Sequence, residues 1–318
     1  MSDPFDTRII RSRIRPAEAG RTLIDHLVRR FTYRDRTGWL DRLAAGELLL
    51  DGRPARAEDV LAADMVLEYR PGDIQEPAVD TAYRIVYEDG SLLVIDKPGD
   101  LPTHPSGIFY AHTLWHLLTK RFGAIHLVNR LDRETSGLLL AAKDPRTAAR
   151  LARGVRRKTY LAFVFGTFAE PLDAAGFLIP AGGGVRKKRA FVRALPPGVA
   201  GETAETRLRP VETANGLSLV EAELVTGRMH QIRATLCSLG YPLVGDKLYG
   251  PDETCYLRLR RGTLTEADRQ KLLLPRQALH AWKLGFRHPE TGEECEFTTP
   301  LPADLEDLAC KSGFSRLP

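Results

Sequence analysis

From Thr81 onward the chain is divided into short apolar runs, each too brief for a helix and each cut off by glycine, proline or charge. The run 92–96 stops at Lys97-Pro98-Gly99, the run 138–142 stops ahead of Asp144-Pro145, and the run 160–165 stops at Gly166. A fourth, 217–225, ends ahead of Thr226-Gly227. Runs of this length, bounded in this way, read as strands. Between them lie helical signals. Asp144-Pro145 offers an N-cap followed by proline at the first helical position. The helix it opens would turn Ala148, Leu151 and Ala152 inward and its arginines outward. Met229, Ile232, Leu236 and Leu239 recur at helical spacing, which buries one face and leaves Arg233 beside it. The expected class is α+β, a mixed and mostly antiparallel central sheet with flanking helices.

With 318 residues the chain has room for two domains. Residues 1–73 read as a small module of their own. Leu23, Ile24, Leu27 and Val28 make one apolar helical face, and a second helix around Trp39-Leu40-Asp41-Arg42-Leu43 is stopped by Gly46. Leu48-Leu49-Leu50, an Asp51-Gly52 turn and a return strand follow, with a further strand at 66–70. This stretch has thirteen arginines, no lysine and thirteen acids, so a basic face requires Arg29, Arg30, Arg34 and Arg36 to gather on one side. Residues 74–80 serve as linker, and 81–318 form the larger domain. No apolar run approaches membrane-spanning length, and Met1-Ser2-Asp3-Pro4-Phe5 lacks a signal-peptide pattern. A cytoplasmic protein is therefore expected, without membrane contact. Cys237, Cys255, Cys295 and Cys310 are scattered, which argues against a disulfide framework or a zinc site.

The charge distribution carries more than the net value of +5. Between Lys143 and Tyr160 seven cations (Lys143, Arg146, Arg150, Arg153, Arg156, Arg157 and Lys158) face one acid, Asp144. Arg186, Lys187, Lys188, Arg189 and Arg193 form a second cluster after the glycine-rich stretch 180–184, which reads as a mobile loop. Isolated runs of this kind are usually solvated faces. Both of these flank one chemical motif, and that favours a polyanion such as RNA as partner. The motif is Asn129-Arg130-Leu131-Asp132-Arg133-Glu134-Thr135-Ser136-Gly137. It holds an aspartate between arginines, and nearby positive charge keeps a carboxylate ionised. Such a group suits a nucleophile or charge stabiliser. On composition alone an ordinary surface ion pair is the favoured reading.

A second segment, Thr226-Gly227-Arg228-Met229-His230-Gln231-Ile232-Arg233, changes that balance. Together the two segments resemble the RluA family of RNA pseudouridine synthases. The resemblance extends upstream through Tyr87-Glu88-Asp89, the stretch from Leu92 to Lys97-Pro98, and Leu101-Pro102-Thr103-His104-Pro105. Downstream it takes in Arg157-Lys158-Thr159-Tyr160-Leu161-Ala162, then Gly240 to Asp246 with Leu248-Tyr249-Gly250, and Gln277-Ala278-Leu279-His280-Ala281. It runs in order from about Tyr83 to Leu305, which makes it far more specific than one short pattern.

The resemblance implies a pseudouridine synthase fold with an active-site cleft, and isomerisation of uridines in structured RNA, ribosomal or transfer, without cofactor or metal. It assigns the nucleophile to Asp132 and base stacking to Tyr160. Arg233 pairs with the catalytic carboxylate, and Arg130 fills the gap left by the flipped nucleotide. Arg228 and His230 shape the motif loop or contact RNA, and Arg153, Arg156, Arg157 and Lys158 belong to the RNA-binding surface. The N-terminal order is similar to the αL-type RNA-binding module, with a structural cap as the plainer alternative, and a monomer is expected.

One departure from the family pattern is Asn129, which stands where histidine is usual and puts local positioning in question. His112 and His116, four apart, lack the glutamate and third ligand of a zinc helix. Asp96 and Asp246 read as acceptors that fix loops. Two other classes compete: a non-catalytic RNA-binding protein on the same scaffold, and a glycoside or nucleoside hydrolase using Glu134 as a second acid.

Overall fold

The computed structural model describes residues 9–31, 33–72, 75–182, 185, 187–252 and 254–318. The extreme N-terminus, Asp73 and Ile74 of the expected linker, and Gly183, Gly184 and Arg186 of the expected loop and basic run lie outside the described residues. The chain divides into two compact units: Met1–Ala78 with His104–Lys120, and Val79–Thr103 with Arg121–Pro318.

In the first unit, strand β1 (Ile10–Arg13) precedes helices α1 (Leu23–Arg30) and α2 (Arg36–Ala44), then strands β2 (Leu48–Leu50), β3 (Arg53–Pro54) and β4 (Val66–Tyr69). The α1 helix starts where the Thr22 hydroxyl accepts the Asp25 N–H, and α2 where Asp35 accepts the Gly38 N–H at 2.8 Å. Leu23, Ile24 and Leu27 are buried and Val28 packs beside them, as the helical spacing predicts. Trp39, Leu48, Leu50, Leu67 and Tyr69 complete this core.

The sheet runs in the order β1-β4-β2-β3 and is antiparallel throughout. Among the arginines considered for a basic face, Arg30 is paired with Glu18 at 2.6 Å and Arg36 with Asp25 at 2.8 Å. Glu76 accepts the backbone N–H groups of Tyr110, Ala111 and His112, each at 2.8 Å. Helix α3 (Leu114–Phe122) begins after that turn. His112 therefore sits ahead of the helix while His116 is on it, and the i,i+4 pair does not form.

The second unit is built, among the described residues, on one 11-stranded sheet. Its strands are β5 (Arg84–Glu88), β6 (Leu92–Lys97), β7 (His126–Leu127), β8 (Ser136–Ala142), β9 (Val155–Phe165), β10 (Leu172–Pro180), β11 (Arg189–Val192), β12 (Glu202–Ala214), β13 (Leu217–Leu224), β14 (Leu279–Arg287) and β15 (Glu294–Thr298). The main path is β11-β10-β12-β13-β9-β14-β8-β6-β5, with β15 on β14 and β7 on β8. Among the described residues only the β14–β8 pair is parallel, so the expected α+β class with a mostly antiparallel sheet is what the chain forms.

The helices are α4 (Pro145–Gly154), α5 (Gln231–Ser238), α6 (Thr254–Arg261), α7 (Glu266–Leu272) and α8 (Ala303–Lys311). Every residue of β8 is buried, which a strand covered on both faces requires and which explains its unbroken apolar run. One core joins Leu92, Val94, Leu138, Leu140, Leu284 and Phe286 to Leu151 of α4. Another sets Leu161, Phe163 and Leu219 against Leu305 and Leu308 of α8.

Two expectations need correction. Ala152 is exposed, and Thr147 and Leu151, one turn apart, make the buried stripe of α4. Met229 lies before α5 and is exposed, because His230 at φ 58° turns the chain into the helix. Of the expected RNA-binding arginines, Arg153 is on α4, whereas Arg156 and Arg157 lie on β9.

Candidate active site

Two strands bring the chemistry together. Tyr160 on β9 pairs with Ala281 of β14, and Ala281 pairs in turn with Gly137 at the start of β8. Gly137 has φ +107°, and a Cβ there would lie 2.3 Å from the Ala281 carbonyl oxygen. Only glycine allows the two backbones to approach so closely. The loop before Gly137 carries Asp132 into a cavity of about 300 Å³, where Arg130, Lys158, Tyr160, Arg228, His230 and Arg233 also line the wall. Seven of the ten residues singled out from sequence therefore share one cavity. Arg153, Arg156 and Arg157 do not line it, and Arg157 lies 3.6 Å from Glu296.

Arg233 organises the site. It projects from α5, is nearly buried, and donates Nη1–H to Asp132 Oδ2 at 2.6 Å. Its other edge grips Asp246, with Nε to Oδ2 at 2.7 Å and Nη2 to Oδ1 at 3.0 Å. This bidentate fork leaves the guanidinium one well-defined orientation. Asp246 is fully buried and also accepts the Leu248 and Tyr249 N–H groups at 2.9 Å, so it does fix its loop. Its larger contact, the clamp on Arg233, was not legible in sequence. The Gly245-Asp246-Lys247 turn offered only the signal of a loop-fixing acceptor.

The Tyr249 ring lies 4.9 Å from the guanidinium carbon, in cation–π range. Burial by itself would lower the Arg233 pKa, but the two aspartates outweigh it and raise it. Burial likewise pushes the Asp132 carboxyl up, and Arg233 more than reverses this, leaving it below the usual carboxylate range. Asp132 is thus an ionised carboxylate, partly open to the cavity. Tyr160 is buried beside it, and burial followed by the Asp132 charge raises the phenol above its ordinary pKa. It is a neutral ring with an intact hydroxyl.

Supporting groups hold the loops. Asn129 Oδ1 accepts the Leu140 N–H at 2.8 Å, so this amide pins the motif loop to β8 without a titratable ring. Gln231 accepts from Thr226 Oγ1 and from the Arg228 N–H, and donates to the Glu205 carbonyl and Thr206 Oγ1. All of its polar capacity is used to shape the turn carrying Arg228 and His230. Glu134 pairs with Lys247 at 2.7 Å and accepts the Gln277 N–H, so it is committed to the scaffold and supplies no second acid. Asp252, Cys255 and Asp268 approach one another closely, but Arg258 already neutralises both carboxylates, at 2.8 and 2.7 Å.

Similarity to known proteins gives the class first. A sequence model described as RNA pseudouridylate synthase matches residues 91–238. The human RNA pseudouridylate synthase domain containing 4 superposes with a TM-score of 0.52 at 25% identity, covering 73% of this chain and 94% of its own. The human domain containing 1 protein, at 24% identity and TM-score 0.55, covers 77% and 100% and shares the fold. The particular relatives are bacterial. A ribosomal large subunit pseudouridine synthase D from Pseudomonas aeruginosa is 34% identical over 310 residues, spanning 91% of this chain and 92% of its own. The protein of the same name from Vibrio cholerae is 34% identical over 241 residues, with 73% and 71% covered. The chain belongs to the RNA pseudouridylate synthase family, of the RluA type, and is an isomerase that converts uridine to pseudouridine within RNA.

Proposed function

We propose that Asp132 is the nucleophile or charge stabiliser of this isomerisation and that the substrate is ribosomal RNA of the large subunit. One observation carries the assignment: the ionised Asp132 carboxylate, oriented by Arg233 at 2.6 Å, opens into the cavity lined by Tyr160. The reaction breaks the bond from uracil nitrogen to ribose, turns the base and rejoins it through carbon. Nothing is consumed, so the chain needs a carboxylate, a surface to hold the detached base, and exclusion of water. The Tyr160 ring, which lines the cavity, supplies the stacking face. Arg130, exposed at the rim, fills the space left by the extruded nucleotide. Lys158, Arg228 and His230 complete the wall, and Arg153, Arg156 and Arg157 contact phosphates farther along the strand.

Large-subunit ribosomal RNA is favoured over transfer RNA by the names of the bacterial relatives. Residues 1–73 act as an RNA-binding module joined by a linker at 74–80 to a catalytic domain at 81–318, and the enzyme works as a cytoplasmic monomer. Among the described residues no helix is long and apolar enough to cross a membrane.

The test is site-resolved pseudouridine mapping of total RNA from cells with and without the gene, complemented by wild type or Asp132→Ala. Wild type should restore specific large-subunit sites, and Asp132→Ala should restore none, a loss of at least about 10³-fold. Restoration by Asp132→Ala would refute the nucleophile. Sites confined to transfer RNA would refute the substrate.

A further inference from the structure

The Asp132 carboxylate has a second neighbour on the oxygen that Arg233 leaves open. His230 Nε2 lies 3.8 Å from Asp132 Oδ1. At its other nitrogen, Nδ1 is 3.0 Å from the Tyr249 hydroxyl, and that hydroxyl accepts the backbone N–H of Arg189 on β11 at 2.9 Å.

These contacts decide the tautomer. With its oxygen receiving the Arg189 N–H, the Tyr249 hydroxyl hydrogen is directed at Nδ1, which must then be unprotonated. The opposite arrangement, Nδ1–H donating to the phenol, would leave the phenol hydrogen of a buried side chain without an acceptor among the described residues. The first arrangement strands no phenol hydrogen, and it places the imidazole proton on Nε2, facing the carboxylate. Burial lowers the His230 pKa to about 4 against the pull of Asp132, so the ring is neutral through the physiological range. The charged groups that face it are Asp132, Arg233, Asp246 and Lys187. Its backbone, at φ 58°, is held by the turn that opens α5.

We infer that His230 is a positioning residue that holds Asp132 through a neutral Nε2–H donor, and that Tyr249, oriented by the β11 backbone, selects the tautomer. The inference rests on the assignment of Asp132 as the reacting carboxylate. Arg233 then takes one carboxylate oxygen by charge and His230 the other by a neutral hydrogen bond. The 3.8 Å separation becomes a hydrogen bond when the carboxylate shifts onto substrate, since such contacts are often long in the unliganded enzyme. A neutral donor orients the second oxygen without adding a cation, so the carboxylate keeps more of its nucleophilicity than it would between two full charges.

The test joins spectroscopy with kinetics on the full-length protein. Nitrogen-15 NMR of histidine-labelled wild type should show His230 with pyrrole-like Nε2 and pyridine-like Nδ1, unchanged from about pH 5.5 to about pH 8. Tyr249→Phe keeps the ring under Arg233 and removes only the hydroxyl, so the same resonances should report a tautomer mixture. His230→Gln retains an N–H near the Nε2 position, and kcat on an RNA substrate should fall less than about threefold. His230→Asn suits the left-handed backbone but stops short of the carboxylate, and kcat should fall at least about tenfold with KM unchanged.

A protonated Nδ1 in wild type, equal losses for Gln and Asn, or a raised KM with kcat intact would each overturn the inference, the last making His230 an RNA contact. Asp132→Ala is run alongside. If it turns over, the parent assignment fails as well, whereas an inactive Asp132→Ala with indistinguishable His230 variants refutes the positioning role alone.

Discussion

At the scale of single residues, the site is a chain of carboxylates and cations in which each member is fixed by the next. Asp132 faces the cavity, Arg233 turns it, and buried Asp246 turns Arg233. Asp246→Asn should therefore damage an enzyme whose proposed nucleophile is untouched. It leaves a buried guanidinium short of one countercharge, a change that costs about 3–5 kcal/mol when a buried pair is broken. Activity should fall at least about 100-fold, read as kcat, while RNA affinity changes little.

The pH dependence has a definite sign. The Asp246 pKa is lowered in the fold, with burial opposing and Arg233 prevailing, so its stabilisation is present above the unfolded carboxylate pKa and lost as pH falls through the folded value. Acid unfolding of wild type should retain that limb, and Asp246→Asn should flatten it, as urea titrations between about pH 3 and pH 7 would show. An unchanged acid limb would remove Asp246 from the linkage.

Among elements, the decisive contact is the entry of β14 between β8 and β9. Gly137→Ala would force a methyl group into the Ala281 carbonyl and a left-handed backbone onto alanine. A loss of about 3 kcal/mol or more is expected, read as a lower urea midpoint, with activity falling as the Asp132 loop is displaced. Midpoints equal to wild type would mean that the strands part at little cost. The four strands expected from sequence all exist because each is an apolar run buried in the sheet, and the Asp144-Pro145 start of α4 holds for the capping reason given.

Strand β12 was not legible. Its thirteen residues alternate exposed charges such as Arg207 with buried positions such as Leu208, and too few are large and apolar to form a run. The place of β14 was not legible either, because strand order depends on contacts distant in sequence. At the site, Asp132, Tyr160 and Arg233 lie in motifs long enough to be read, and the structure gathers them in one cavity. Asp246 and Tyr249 act through neighbours rather than through their own chemistry, so no local pattern revealed their contacts.

For the whole molecule, the proposed division of labour predicts that a chain lacking residues 1–73 still isomerises uridine but binds RNA more weakly or modifies fewer sites. This cut retains Glu76, whose carboxylate holds the 110–112 backbone. Affinity and site mapping of the truncated protein decide the matter, and unchanged values for both would reduce the module to a structural cap. A last consequence concerns the order in which the chain is made. By Arg233 all three proposed catalytic side chains have been synthesised, yet β8 and β9 are held apart by a strand that begins at Leu279. Until that segment leaves the ribosome, the long edge of β9 that β14 will cover has no partner and is open to wrong pairing. The nascent enzyme thus carries its full chemical inventory while unable to assemble the cavity. Competence therefore waits for the segment that begins at Leu279, well after the last of those side chains has been made.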